Sequence, residues 1–269
     1  MRRDTGVVRL ADGGTLHFED LGSGSAVVLV HPGLWDSRTW DPQIEPLLAT
    51  GCRVLRYDVR GYGRSSDPTG PYSDVDDLAE LLAARGIERA ALVGCSMGGD
   101  IAIRFTLTHP ERVWALVPVA SGLQGFPWDE EELGPVFEPI QRAVEAGDLQ
   151  RAVDLAMHVW APLGTDDPDG WRIREIAMGN TRQFVMDESL QLPSDPAPVD
   201  WLEAIDAPTL VLVGDTDVSA IERIADLLAA RIPGARKVLI EQADHVVNLR
   251  QPDRFNQVVL DFLARTRED

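Results

Sequence analysis

Cysteine is nearly absent: Cys52 and Cys95 are the only two in 269 residues. Neither stands in a C-x-x-C or other metal-like spacing, which argues against a disulfide scaffold or a thiolate cluster and for free thiols in a reducing compartment. Basic residues are also scarce, 25 Lys and Arg against 44 Asp and Glu, for a formal charge of -19. Such a surface repels nucleic-acid phosphates and anionic membranes, because binding to either depends on clustered cations. The acidic residues form no long block, as expected of a solvated surface. Long hydrophobic runs are missing too. No window approaches a membrane span, and the N-terminal M-R-R-D-T-G-V-V-R-L lacks the apolar core of a signal peptide. The expectation is a cytoplasmic protein with neither nucleic acid nor membrane as partner. No spare cluster of His, Cys and carboxylates suggests a metal, and the oligomeric state is not readable.

What is present is a set of short valine-rich runs. Val27 to Val30, Val54 to Tyr57, Ala91 to Val93, Val113 to Val119 and Leu210 to Val213 are apolar on both faces, as strands of a helix-covered parallel sheet must be. Helical patterns at Val75 to Arg85, Ile101 to Thr108 and Ala220 to Arg231 alternate with them, predicting an α/β fold. Leu16 to Asp20 and Val7 to Leu10 alternate in polarity and read as antiparallel edge strands. The rhythm breaks between Gly122 and Val199. Three amphipathic candidates there, Glu130 to Ala146, Leu149 to Trp160 and Trp171 to Met186, predict a helical cap over residues 122–199, with the core formed by 1–121 and 200–269.

The segment A-A-L-V-G-C-S-M-G-G-D from Ala90 to Asp100 carries the most chemistry. A serine in G-x-S-x-G between a strand and a helix sits on a sharp turn that only glycine-sized neighbours allow, and its hydroxyl is exposed above the sheet. At a helix N-terminus, unpaired backbone N–H groups can also receive an oxyanion. Ser96 is therefore the candidate nucleophile. A serine needs a base, and the base needs an acid to orient it. His245 follows the strand-like Lys237 to Ile240, and Asp217 follows Leu210 to Val213, both at strand C-terminal ends where such sheets place their sites. Asp217 is the favoured acid; Asp215, suited to capping its turn, and Asp244, beside the histidine, are the rivals. His17, His109 and His158 suit surface or packing positions. His31 shapes the turn after the first parallel strand, where the backbone N–H of Leu34 would join that of Met97 in an oxyanion hole. Trp35, Trp128, Phe137, Met157 and Trp160 are candidate pocket residues, and an arginine among Arg142, Arg151, Arg172, Arg174 and Arg182 could bind a substrate carboxylate.

H-P-G-L-W from His31, Y-D-V-R-G-Y-G-R-S from Tyr57, G-C-S-M-G-G from Gly94 and A-D-H from Ala243 occur in the order found in α/β-hydrolases, which the chain resembles over nearly its full length. With T-H-P-E-R from Thr108 and I-P-G-A from Ile232, it resembles 3-oxoadipate enol-lactonases and related small esterases. The resemblance implies hydrolysis of a small carboxylic ester or lactone through an acyl-serine, with no cofactor. Perhydrolases and C–C bond hydrolases share such a triad and are the alternatives; a ligand-binding protein without turnover is a third reading. The chain departs from those relatives after the histidine, with Arg250 where they often carry a glutamate.

Overall fold

A computed structural model describes residues 3–164 and 170–267. Its strands are β1 (Arg3–Arg9), β2 (Thr15–Gly22), β3 (Ala26–Val30), β4 (Arg53–Tyr57), β5 (Ala90–Cys95), β6 (Val113–Val119), β7 (Leu210–Gly214) and β8 (Arg236–Ile240). Its helices are α1 (Asp41–Ala49), α2 (Asp74–Ala84), α3 (Met97–Thr108), α4 (Glu130–Glu145), α5 (Leu149–Trp160), α6 (Gly170–Met178), α7 (Ser219–Arg231), α8 (Val247–Arg250) and α9 (Pro252–Arg267). No helix among the described residues is long and apolar enough to cross a membrane.

The strands form one sheet in the order β1-β2-β4-β3-β5-β6-β7-β8. β1 pairs antiparallel with β2, β2 antiparallel with β4, and the rest are parallel. Only β1 is therefore an edge on that side; β2, expected as an edge, lies between β1 and β4, and its inner positions are correspondingly buried. β3, β5 and β7 are buried at every residue, which is why their sequences are unbroken apolar runs rather than alternations. Ile101, Ala102 and Phe105 of α3 are fully buried against this sheet, and each large side chain there contributes about 2 kcal/mol by leaving water.

Local signals set the helix ends. Ser73 caps α2 by accepting from the Asp76 N–H, and Asp74, Asp76 and Asp77 in the first turn complement its dipole. Between β6 and β7 the chain leaves the sheet to build α4, α5 and α6, whose apolar faces share a second core of Ile140, Ala143, Val153, Met157, Ile173 and Ile176 with Leu34, Trp35 and Val246 from below. The helix expected from Trp171 to Met186 stops at Met178 and gives way to a 3-10 turn over Thr181–Val185. Asn180 explains the stop: its amide donates back to the Ile176 carbonyl at 2.8 Å and outward to Asp36 at 2.9 Å, fixing the chain in a turn.

Candidate active site

Sheet register brings the site together. Val30 pairs with Gly94 and Cys95 with Val119, so the loops after β3 and β6 emerge beside Ser96. Ser96 itself has φ 52° and ψ -115°, in the positive-φ region that L-residues rarely visit. The flanking glycines are required by close approach: a Cβ on Gly94 would collide with the Gly98 backbone, and one on Gly98 with the carbonyl of Val30. Ser96 N–H donates to the Val119 carbonyl at 2.9 Å, locking the turn to the neighbouring strand.

Gly214 pairs with Ile240, which sets the loops after β7 and β8 side by side. His245 Nδ1 lies 3.0 Å from both carboxylate oxygens of Asp217, with 2% and 1% of the two side chains exposed. Asp217 Oδ1 also accepts from the Val218 N–H at 2.7 Å. The rival acids are engaged elsewhere. Asp215 accepts from Ala243 N–H and the Thr216 hydroxyl, and a backbone hydrogen bond from Gln242 above all, then those two, holds its carboxyl below the usual range. Asp244 is held by Arg250 Nε at 3.0 and 3.1 Å and by the Leu163 N–H, while Arg250 also donates to the Gly164 carbonyl. The unexpected arginine thus neutralises a buried carboxylate next to the histidine.

His31 is fully buried and neutral: its Nε2 accepts from Val59 N–H at 2.9 Å, so Nδ1 carries the proton that goes to the Pro32 carbonyl at 2.8 Å. Burial depresses its pKa. Cys95, next to Ser96, is buried, and that burial pushes its thiol pKa well up. Met97 is the first residue of α3, so its N–H has no acceptor within the helix. The Leu34 N–H donates to Gln183 Oε1 of the cap at 2.7 Å, and Leu34 has φ 69°. The adjacent Gly33 N–H has no protein acceptor among the described residues.

Ser96 and His245 line one cavity of about 240 Å³ with Gly33, Leu34, Trp35, Phe137, Trp160 and Gln183. On its other side Ser96 opens onto a larger, mostly apolar cavity of about 690 Å³, walled by Trp128, Leu133, Phe137, Trp160 and Ile221. Of the expected pocket residues, Trp35, Trp128, Phe137 and Trp160 line these spaces. Met157 does not: it packs inside the cap, one helical turn before Trp160, because that face of α5 meets α4 and α6 there. None of the five cap arginines lines either cavity. Arg142 pairs with Glu138, Arg172 with Asp41 and Arg174 with Asp154, Arg151 is exposed, and Arg182 donates to the carbonyls of Gly61, Gly63 and Ser65. Sequence reasoning missed Gln183 and Asn180, which no motif marks. Among the described residues no group of three or more His, Cys, Asp or Glu side chains converges as a metal site would.

The profile of the alpha/beta hydrolase fold family matches residues 26–252. The chain is 30% identical over 266 residues to the 2-hydroxy-6-oxononadienedioate/2-hydroxy-6-oxononatrienedioate hydrolase of Paraburkholderia xenovorans, covering 93% of this chain and 90% of that protein. The structure of an enol-lactonase from Burkholderia xenovorans LB400 superposes with a TM-score of 0.82 at 26% identity, covering 96% of this chain and 100% of the other. A thermophilic esterase from Thermogutta terrifontis gives 0.80 at 27% identity over 99% of both chains.

Proposed function

Since the chain belongs to the alpha/beta hydrolase fold family, we propose that it hydrolyses a small carboxylic ester or lactone by way of an acyl-serine. His245 Nε2 takes the Ser96 proton as Oγ attacks the acyl carbon, while Asp217 holds Nδ1–H and stabilises the imidazolium. The carbonyl oxygen gains its negative charge facing the Met97 N–H and an N–H of the Gly33–Leu34 turn. The tetrahedral adduct expels the alcohol, which takes the proton from His245. His245 then deprotonates a water that attacks the acyl-serine, and the second adduct collapses to the carboxylic acid as His245 returns that proton to Ser96 Oγ. The observation that carries this reading is the Asp217–His245 contact of 3.0 Å at the wall of the cavity that Ser96 also lines.

Charge narrows the substrate. No lysine or arginine among the described residues lines either cavity at Ser96, and the one histidine there, His245, is already paired with Asp217. Arg60, which lines a neighbouring cavity, is already bonded to Asp77 and Asp12. A buried carboxylate on the substrate would lack a counter-ion and lose several kcal/mol, on the order of its uncompensated desolvation. This supports an uncharged ester or lactone over a dicarboxylate of the kind named for the Paraburkholderia relative.

The test is intact-mass analysis after fluorophosphonate treatment of the native chain and of Ser96→Ala, followed by kinetics on matched neutral and carboxylate-bearing esters. One adduct, lost in Ser96→Ala, and a preference of about tenfold or more for the neutral ester are expected. A folded native chain that takes no adduct, or an adduct retained by the variant, overturns the mechanism; equal turnover of the two esters overturns the substrate class.

A further inference from the structure

We infer that Gln183 is a positioning residue for the oxyanion site: by accepting from the Leu34 N–H it holds the Gly33–Leu34 turn so that the Gly33 N–H, with that of Met97, meets the reacting carbonyl. The inference rests on the acyl-serine reading above. Leu34 has φ 69°, a conformation that costs a residue with a branched side chain and is kept only where surrounding contacts impose it. The imposing contact is visible. Gln183 Oε1 accepts from Leu34 N–H at 2.7 Å, while Gln183 Nε2 is itself fixed by donation to the Asn180 carbonyl at 3.0 Å. Both ends of the carboxamide are therefore tied, and the group spans from cap to core.

The grip extends along the loop. Trp35 Nε1 donates to the Ile173 carbonyl at 3.0 Å, and Asn180 Nδ2 donates to Asp36 at 2.9 Å, so residues 34, 35 and 36 each hold a bond to the cap. Asn180 Oδ1 meanwhile accepts from Gly63 N–H at 2.7 Å. The Leu34 N–H is thus spoken for, whereas the Gly33 N–H beside it has no protein acceptor among the described residues. Gly33 also stands next to the start of α3: a Cβ built on it would lie 4.0 Å from Met97 Cβ. Gly33, Leu34 and Gln183 all line the Ser96–His245 cavity. Free amides at Gly33 and Met97 form the pair, and Gln183 keeps the first of them in place.

The experiment compares native protein, Gln183→Ala, Leu34→Gly and the double variant, reading the fluorophosphonate labelling rate of Ser96 and kcat and KM for p-nitrophenyl acetate. Gln183→Ala is expected to lower kcat and the labelling rate by about tenfold or more, with KM changed less than about threefold, because an oxyanion donor acts mainly in the transition state. In the Leu34→Gly background the Gln183→Ala penalty should shrink to less than about threefold, since glycine adopts positive φ without a tether. Gln183→Met, of similar length but with no strong acceptor for the Leu34 N–H, should lose labelling as Gln183→Ala does and serves where the alanine variant does not fold.

Faster labelling of Gln183→Ala would mean that the carboxamide blocks the hole and must be displaced, and would overturn the proposal. So would an unchanged rate, or a loss undiminished by Leu34→Gly, which would make Gln183 a substrate contact or a brace of the cap. A native chain that takes no label removes the acyl-serine reading and this inference together; a labelled native chain with an indifferent Gln183→Ala removes this inference alone.

Discussion

The indole of Trp160 stands against the imidazole of His245, ring centroids 4.4 Å apart and planes inclined by 39°. Trp160 ends α5 and also meets Phe137 of α4 at 5.7 Å, so the cap reaches the proposed base, His245, through an aromatic pair. An indole over the ring excludes water and offers its π-face to the positive charge that the imidazole would acquire in the proposed acyl transfer. Trp160→Ala should therefore lower kcat/KM by about tenfold, matching a desolvated cation–π contact, and Trp160→Phe should keep most of the activity. Steady-state kinetics alongside thermal unfolding separate the effects. A Trp160→Ala protein that melts earlier yet turns over at the native rate would reduce the residue to cap packing.

Two glycines near the site should respond to alanine with very different magnitude. A Cβ on Gly98 falls against the backbone carbonyls of Val30 and His31, which β3 pairing holds in place. Gly98→Ala must separate α3 from β3, at a cost of about 3 kcal/mol or more, and displace Ser96 with it. Gly134, inside α4, has nothing beyond its own chain neighbours within 4 Å of the same atom, but Pro135 follows it and its ring crowds the Cβ of a preceding helical residue, so the helix-propensity gain of Gly134→Ala is offset and its stability should change by less than about 1 kcal/mol. Urea unfolding of both variants decides. A Gly98→Ala chain as stable as the native one would contradict the tight turn at Ser96.

The strands and the order Ser96, Asp217, His245 were legible because each depends on local pattern: apolar runs bounded by turns, a glycine-flanked serine, and polar residues just beyond strand ends. What stayed hidden depends on contacts across the chain. The Leu34–Gln183 bond joins residues 149 positions apart, and a glutamine at the end of a cap segment carries no periodic or motif signal. Met157 shows a second limit. It shares the apolar face of α5 with Trp160, and periodicity defines that face without saying that one turn meets the cap's own core and the next meets His245. Arg250, legible only as a departure from relatives, has its meaning in the buried Asp244 that it neutralises.

Asp36 makes the cap's attachment sensitive to acid. Its carboxylate is buried, which alone would raise the pKa, but hydrogen bonds from the Arg38 guanidinium and the Asn180 amide outweigh burial and hold it at about 2 against an ordinary 3.8. The folded chain therefore binds this proton more weakly than the unfolded chain. The resulting stability is complete above about pH 5 and is lost as pH falls through 4 toward 2. The shift corresponds to at most about 2 kcal/mol, less to the extent that solvent around the half-exposed Arg38 screens the pair. In Asp36→Asn the titrating group is gone, so the stability gap between native and variant chains should be widest near pH 6 and close as the pH approaches 2. Urea unfolding across that range measures the gap directly, and because the other carboxylates titrate alike in both chains, a constant gap would mean that Asp36 has no depressed pKa and that its bond to Asn180 does not tie cap to core through charge.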